Sequence, residues 1–160
     1  MTNIELSPIG VARTPFKTRE QMPIQGAGIS QESGQIEIFS QYQQGLADLD
    51  GFSHIYVLFH LHQSAGTALT VTPFLDKTPR GVFATRSPKR PNPIGLTIVR
   101  LNAIEGNILQ ISELDLLDGT PIIDLKPYSH QFDCFTDTTD GWMSHGRDPK
   151  QTSSDDRFNR

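Results

Sequence analysis

The stretch ATRSPKRPNPIG, residues 84–95, sets Arg86, Lys89 and Arg90 among three prolines. Cations fixed at short spacing suit phosphate or carboxylate groups, which need positive charge and hydrogen-bond donors more than an acid or a base. Pro88, Pro91 and Pro93 each lock φ, remove an amide donor and push the preceding residue towards extended backbone, so the stretch is a rigid loop and not a helix. HIYVLFHLH, residues 54–62, supplies a second polar set. Alternation puts His54, Tyr56, Leu58, His60 and His62 on one side of a strand, with Ile55, Val57, Phe59 and Leu61 on the other. Three imidazoles on one face could bind a metal only with a further ligand from elsewhere. Histidines lining a polar pocket are the commoner arrangement, and no metal is expected. The single cysteine, Cys134, sits in QFDCFTD without a basic neighbour to activate its thiol, and it allows neither an internal disulfide nor a zinc cluster.

The elements that must position these groups are mostly short strands. IELSPIGVA reads as a strand broken near Pro8, GQIEIF as a second, and residues 54–62 as a third. GVFAT, LTIVRLNAI and NILQISELDLL add three more, the last two joined by EGN in a hairpin, and PIIDL closes the set before Pro127. Ser40 and Gln43 make a capping-box pattern, and Tyr42, Leu46 and Leu49 follow at helical spacing until Gly51, which predicts one short helix. Such a series defines an all-β fold, a barrel or a sandwich, with long loops left to carry function. Three loops stand out: MPIQGAG (22–28) inside a turn-rich stretch from Thr14 to Gly34, the basic loop, and DLLDGTP (115–121). Stiff or glycine-containing backbone can read a small polar ligand without reorganising. The chain has no G-x-G-x-x-G after a strand, no phosphate-binding G-x-x-x-x-G-K-[ST], no H-E-x-x-H and no G-x-S-x-G, which argues against the common cofactor and hydrolase folds.

Length predicts one domain, over residues 1–142, followed by a polar and disordered tail at 143–160. No apolar run approaches the ~20 residues of a membrane span and no signal-like start is present, so a soluble, cytoplasmic protein without a membrane partner is expected. Net charge is -4, yet the segment from Lys77 to Arg100 holds six of the 14 basic residues and no acidic one, leaving eight basic against 18 acidic elsewhere. A cationic segment on an anionic body is the footprint of a phosphate-bearing partner that approaches from one side.

GVFATRSPKRPNPIGLTIVRL, LDLLDGTPIIDLKPY and GFSHIYVLFHLHQ together resemble the TsaA-like family of TrmO-type tRNA methyltransferases, in its short form. The resemblance runs from about Ile9 to Tyr128 and more weakly to Trp142. It implies a small β-barrel that uses S-adenosylmethionine, acts as a homodimer and methylates N6 of threonylcarbamoyladenosine beside the anticodon of tRNA. By matching position, it implies a cofactor pocket made of Gln25, Gly26 and Ala27, of His62 and Gln63, of Arg86 and Leu96, and of Asp118, Gly119, Thr120 and Pro121. Ile24 departs from the basic residue that many relatives carry beside the glutamine. Lys89 and Arg90 are expected to meet phosphates of the anticodon loop, whose unpaired bases can be splayed into a pocket. Asn92, held between Pro91 and Pro93, is the candidate acceptor for the N6 proton, by analogy with adenine-N6 methyltransferases that place an Asn or Asp beside a proline. Asn92 could equally serve to fix its own loop. Two rivals stay open: a non-catalytic module binding S-adenosylmethionine or a nucleotide, and a metal-dependent barrel built on His54, His60 and His62.

Overall fold

A computed structural model describes residues 2–26, 28–146 and 148–152. Six strands close a barrel: β1 (Gly10–Arg13), β2 (Ser33–Ile38), β3 (His54–His60), β6 (Ile94–Glu105), β7 (Ile108–Ser112) and β8 (Pro121–Pro127), in the order β1-β2-β7-β6-β3-β8. A small ribbon of β4 (Thr70–Val71) and β5 (Arg80–Gly81) stands beside it. All neighbours in the barrel are antiparallel. Closure leaves these strands no free edge.

Alternation fills the interior. Ile36 and Ile38 of β2, Ile55 and Val57 of β3, Val99 of β6, Leu109 and Ile111 of β7, and Ile122 of β8 are all buried. Leu114 and Leu116, between β7 and β8, complete the packing. β6 bends across two neighbours: residues 94–100 pair with β3 and residues 100–105 with β7, with an irregularity between Leu101 and Ala103. A second irregularity falls at Leu58/Phe59, where β3 meets β8. Such bulges let a strand turn a corner of a narrow barrel and re-aim its side chains.

Two expectations change. Residues 40–51 form two 3-10 turns, Ser40–Leu46 and Leu49–Gly51, in place of one α-helix. Gly45 and Gly51 are poor helix formers, Asp48 takes a left-handed φ of 64° that ends the first turn, and Leu46 is the one residue of that turn to reach the core. Among the described residues the α-helix lies elsewhere, as the single turn α1 (His130–Asp133). GVFAT is not a strand either: after the two residues of β5, Val82–Ala84 turns as a 3-10 helix. At the other end, a 3-10 turn over Gly141–His145 crosses the boundary drawn at residue 142, and Trp142 Nε1 donates to the Ala84 carbonyl at 2.8 Å. Residues 153–160 of the expected tail lie outside the described residues. Among the described residues no helix is long and apolar enough to cross a membrane.

Candidate cofactor site

At one end of the barrel the loops leaving β3 and entering β6 and β8 meet the stretch before β2 around a cavity of about 320 Å³. The basic loop forms its stiffest wall, and its backbone is tied down residue by residue. Thr85 Oγ1 donates to Val82 O at 2.9 Å and accepts the Ser87 amide at 3.2 Å, while Ser64 Oγ donates to Pro88 O at 2.8 Å. Across the gap, Leu61 N donates to Pro93 O and Ala68 N to Lys89 O. The prolines thus leave carbonyls that the β3–β4 loop satisfies, so the two walls are joined by hydrogen bonds as well as by β3–β6 pairing.

Arg86 and Gln25 meet over the cavity, Arg86 Nη1 donating to Gln25 Oε1 at 2.7 Å although the two are 61 residues apart. His62, Gln63, Leu96 and Thr120 also line it. These six residues were expected together, and the structure brings them together. Gly26 is buried just behind: a Cβ there would fall 2.5 Å from Glu113 O and 3.0 Å from Asp115 N, so only glycine lets this loop close onto the β7–β8 connection. Ala27 lies outside the described residues.

The turn Asp118–Pro121 is only partly at the site. Gly119 takes a left-handed φ of 76°, which the turn needs, and places Thr120 in the cavity wall. Asp118 points to a different neighbourhood. It binds Lys17 Nζ at 2.8 Å and accepts the Thr14 amide at 2.9 Å, and these partners, the Lys17 bond above all, hold its carboxyl below the usual range. Asn92 is exposed, is not among the residues lining the cavity, and its carbonyl takes the Ile94 amide at 2.7 Å. Arg90 does line the cavity, and one nitrogen of its guanidinium is tied to the loop: Nη1 donates to Val82 O at 3.1 Å and Thr85 O at 2.8 Å, with Ser87 O at 3.5 Å. Of the three histidines only His54 stands apart: opposite Arg100 in register, it contacts Ser53 and Tyr128, whereas His60, paired with Ile94 at the far end of β3, and His62, in the following turn, both line the cavity. Among the described residues no group of three or more His, Cys, Asp or Glu could hold a metal.

The site also contains residues that pattern reading missed. Met22, Phe59, Phe74 and Leu117 supply apolar walls, and Arg19 adds a guanidinium whose burial lowers its pKa. Burial likewise lowers the His62 imidazole, partly offset by the backbone of His60. Asp115 is the most unusual member. Its carboxyl lies at the cavity wall with Oδ1 sealed from water, and burial pushes its pKa up. The hydroxyl of Thr97 and the amides of Gly26 and Asp115 itself restrain that rise, with the charge of Arg86 beyond them, yet neither Asp115 Oδ1 nor Thr97 Oγ1 has a hydrogen bond of good geometry. LDLLDGTP reads as a hairpin, and only the odd placement of a carboxyl between Leu114 and Leu116, both fully buried, hints at this role.

A closed antiparallel barrel whose rigid loops gather guanidinium groups, amides and one buried carboxyl around an apolar cavity defines a small-ligand-binding β-barrel with a cationic edge. It is not a dinucleotide-binding sheet. The family model of the tRNA-methyltransferase O N-terminal domain matches residues 11–134, and the chain belongs to that family. A probable S-adenosyl-L-methionine-binding protein of Pyrococcus abyssi is 41% identical over 149 residues, covering 93% of this chain and 81% of that protein. The tRNA (adenine(37)-N6)-methyltransferase of Escherichia coli is 38% identical over 138 residues, covering 80% of this chain and 59% of the enzyme. The crystal structure of TrmO from Pseudomonas aeruginosa superposes with a TM-score of 0.74 at 34% identity, over 88% of this chain and 62% of that one. The chain therefore spans about three fifths of the length of the latter two proteins.

Proposed function

We propose that the protein is a methyltransferase that uses S-adenosylmethionine to methylate N6 of adenine 37 in tRNA, on a base already bearing threonylcarbamoyl, and that it works in the cytoplasm as a homodimer. The observation that carries this reading is the convergence of Gln25, His62, Gln63, Arg86, Leu96 and Thr120 on one cavity. The cavity suits the donor in kind. Guanidinium groups match a carboxylate, and walls of Met22, Phe59, Phe74 and Leu117 match a flat purine. When bound, S-adenosylmethionine supplies an activated methyl group on a sulfonium.

The residues of this chain have two tasks in that reaction. The first is alignment: the attacking nitrogen must be held in line with the methyl carbon near contact distance of ~3 Å, and a pocket of stiff loops does so without reorganising. Arg86, already joined to Gln25, would anchor the polar end of the donor. The second is proton removal. The N6 lone pair is shared with the purine and with the carbamoyl group, so its proton must leave as the new bond forms. This reading moves that role from Asn92 to Asp115, the one carboxyl among the described residues lining the cavity. Burial makes Asp115 a stronger base than a surface carboxylate. Lys89 remains assigned to tRNA phosphates, while Arg90 fixes the loop that carries it.

A second reading has one observation in its favour. The length-matched Pyrococcus relative carries a name that speaks only of binding S-adenosylmethionine, whereas the E. coli methyltransferase is longer. Here the cavity would hold the donor and admit no acceptor. Calorimetry with S-adenosylmethionine, followed by nucleoside mass spectrometry of tRNA with and without threonylcarbamoyl, separates the two. The enzyme reading predicts donor binding and methylation confined to the threonylcarbamoylated tRNA; binding without transfer to either tRNA favours the second reading.

A further inference from the structure

We propose that Phe83 is a stacking platform for an unpaired RNA base beside the cavity, a role that rests on the tRNA reading above. The ring is 75% exposed, although the turn that carries it is fixed on every side. Val82 is buried and its amide donates to Leu69 O at 2.9 Å. Its carbonyl accepts from Thr85 N, Thr85 Oγ1 and Arg90 Nη1. On the far side Ala84 O accepts Trp142 Nε1, and the Trp142 ring in turn lies 5.6 Å from the Arg80 guanidinium. A Phe on a mobile loop would be unremarkable; a Phe held out on a rigid mount is presented to something.

Arg90 settles what kind of partner. Its guanidinium carbon lies 5.8 Å from the Phe83 ring centroid, within cation–π range, and its bonds to three carbonyls keep it there. One face of the ring is therefore backed by a fixed positive charge, and the exposure leaves the other open. Arg90 also lines the cavity, so a single side chain links the ring to it. The ring belongs to the segment from Lys77 to Arg100, with six basic residues and no acidic one. An aromatic face within a cationic edge is complementary to a flat base on a polyanionic strand, and single-stranded nucleic acid is bound by that pairing of stacking and charge. In the anticodon loop, a base next to the one entering the cavity would rest on Phe83.

Affinity for an anticodon stem-loop RNA, measured for the wild type, Phe83→Ala, Phe83→Trp and Lys89→Ala at several salt concentrations, tests this. Stacking loss on alanine substitution amounts to roughly 5- to 150-fold per base, so Phe83→Ala should weaken binding by about tenfold, by the same factor at every salt concentration, with affinity for S-adenosylmethionine unmoved. Phe83→Trp should bind like the wild type and show fluorescence quenching by the RNA that the wild type, with Trp142 alone, lacks. Wild-type RNA affinity in Phe83→Ala overturns the inference while methylation by the wild type leaves the tRNA reading standing. A dimeric wild type that becomes monomeric in Phe83→Ala also overturns it, since the ring would then be a subunit contact. A wild type that binds no RNA removes both.

Discussion

Asp115 is where the chemistry is most exposed to test. A carboxyl whose pKa is raised by burial is protonated over part of the range in which a surface carboxylate is charged, so turnover at saturating substrates should climb with pH through a value above the ordinary carboxylate range. Asp115→Asn should abolish that climb and lower turnover by about 100-fold or more, with donor affinity kept within a few-fold in calorimetry. Asn92→Ala should leave turnover nearly intact, because Asn92 stands outside the cavity lining. Arg86→Ala has a different signature: loss of the bond to Gln25 and of a charge at the donor's polar end should weaken donor binding by about tenfold, read by calorimetry. Arg86 and Gln25 were legible from the matched motifs. Asp115 was not, because nothing in LDLLDGTP separates a carboxyl facing solvent from one folded inward. That distinction depends on Leu114 and Leu116 entering the core on either side of it.

At the level of elements, the barrel was legible because its core strands alternate, and the exceptions have local causes. Val82 and Ala84 belong to a β-like string, but the ribbon ends at Gly81 and the turn closes on Thr85 Oγ1 and Arg90, partners that sequence spacing does not reveal. The helix expected over residues 40–51 failed because two glycines and a left-handed Asp48 interrupt a run that buries only Leu46 well. Gly95 tests the pairing of β3 with β6. It sits opposite Phe59 across β3 and β6, and a Cβ there would collide with the outer atoms of the Phe59 ring. Both residues line the cavity. Gly95→Ala should push the ring into donor space and weaken S-adenosylmethionine binding several-fold, while circular dichroism shows the barrel retained; unchanged affinity would separate Phe59 from the site.

The whole molecule answers to pH in two opposed ways. Asp118 beside Lys17, Asp76 beside Arg80 and Glu113 beside Arg100 all have carboxyls held below their usual range. Their contribution to stability is present above the ordinary carboxylate pKa and is lost as pH falls through the depressed values. Asp115 works in the other direction, since a raised folded-state pKa costs stability as pH climbs from the unfolded value through the folded one. Asp115→Asn should therefore raise the melting temperature at neutral pH, and the gain should vanish in acid, as calorimetric scans would show. A site that costs the fold stability is what a catalytic carboxyl predicts. Sequence made the charge asymmetry visible, but not which cations are tied to the fold; Arg90 is, through the three carbonyls that its Nη1 meets. The most direct measurement is to incubate the full chain with isotopically labelled S-adenosylmethionine and threonylcarbamoylated tRNA, then to digest the RNA and weigh its nucleosides. Label on N6 of the threonylcarbamoyladenosine at position 37 is the predicted result. Unlabelled tRNA from a protein that binds the donor in the same tube would contradict it.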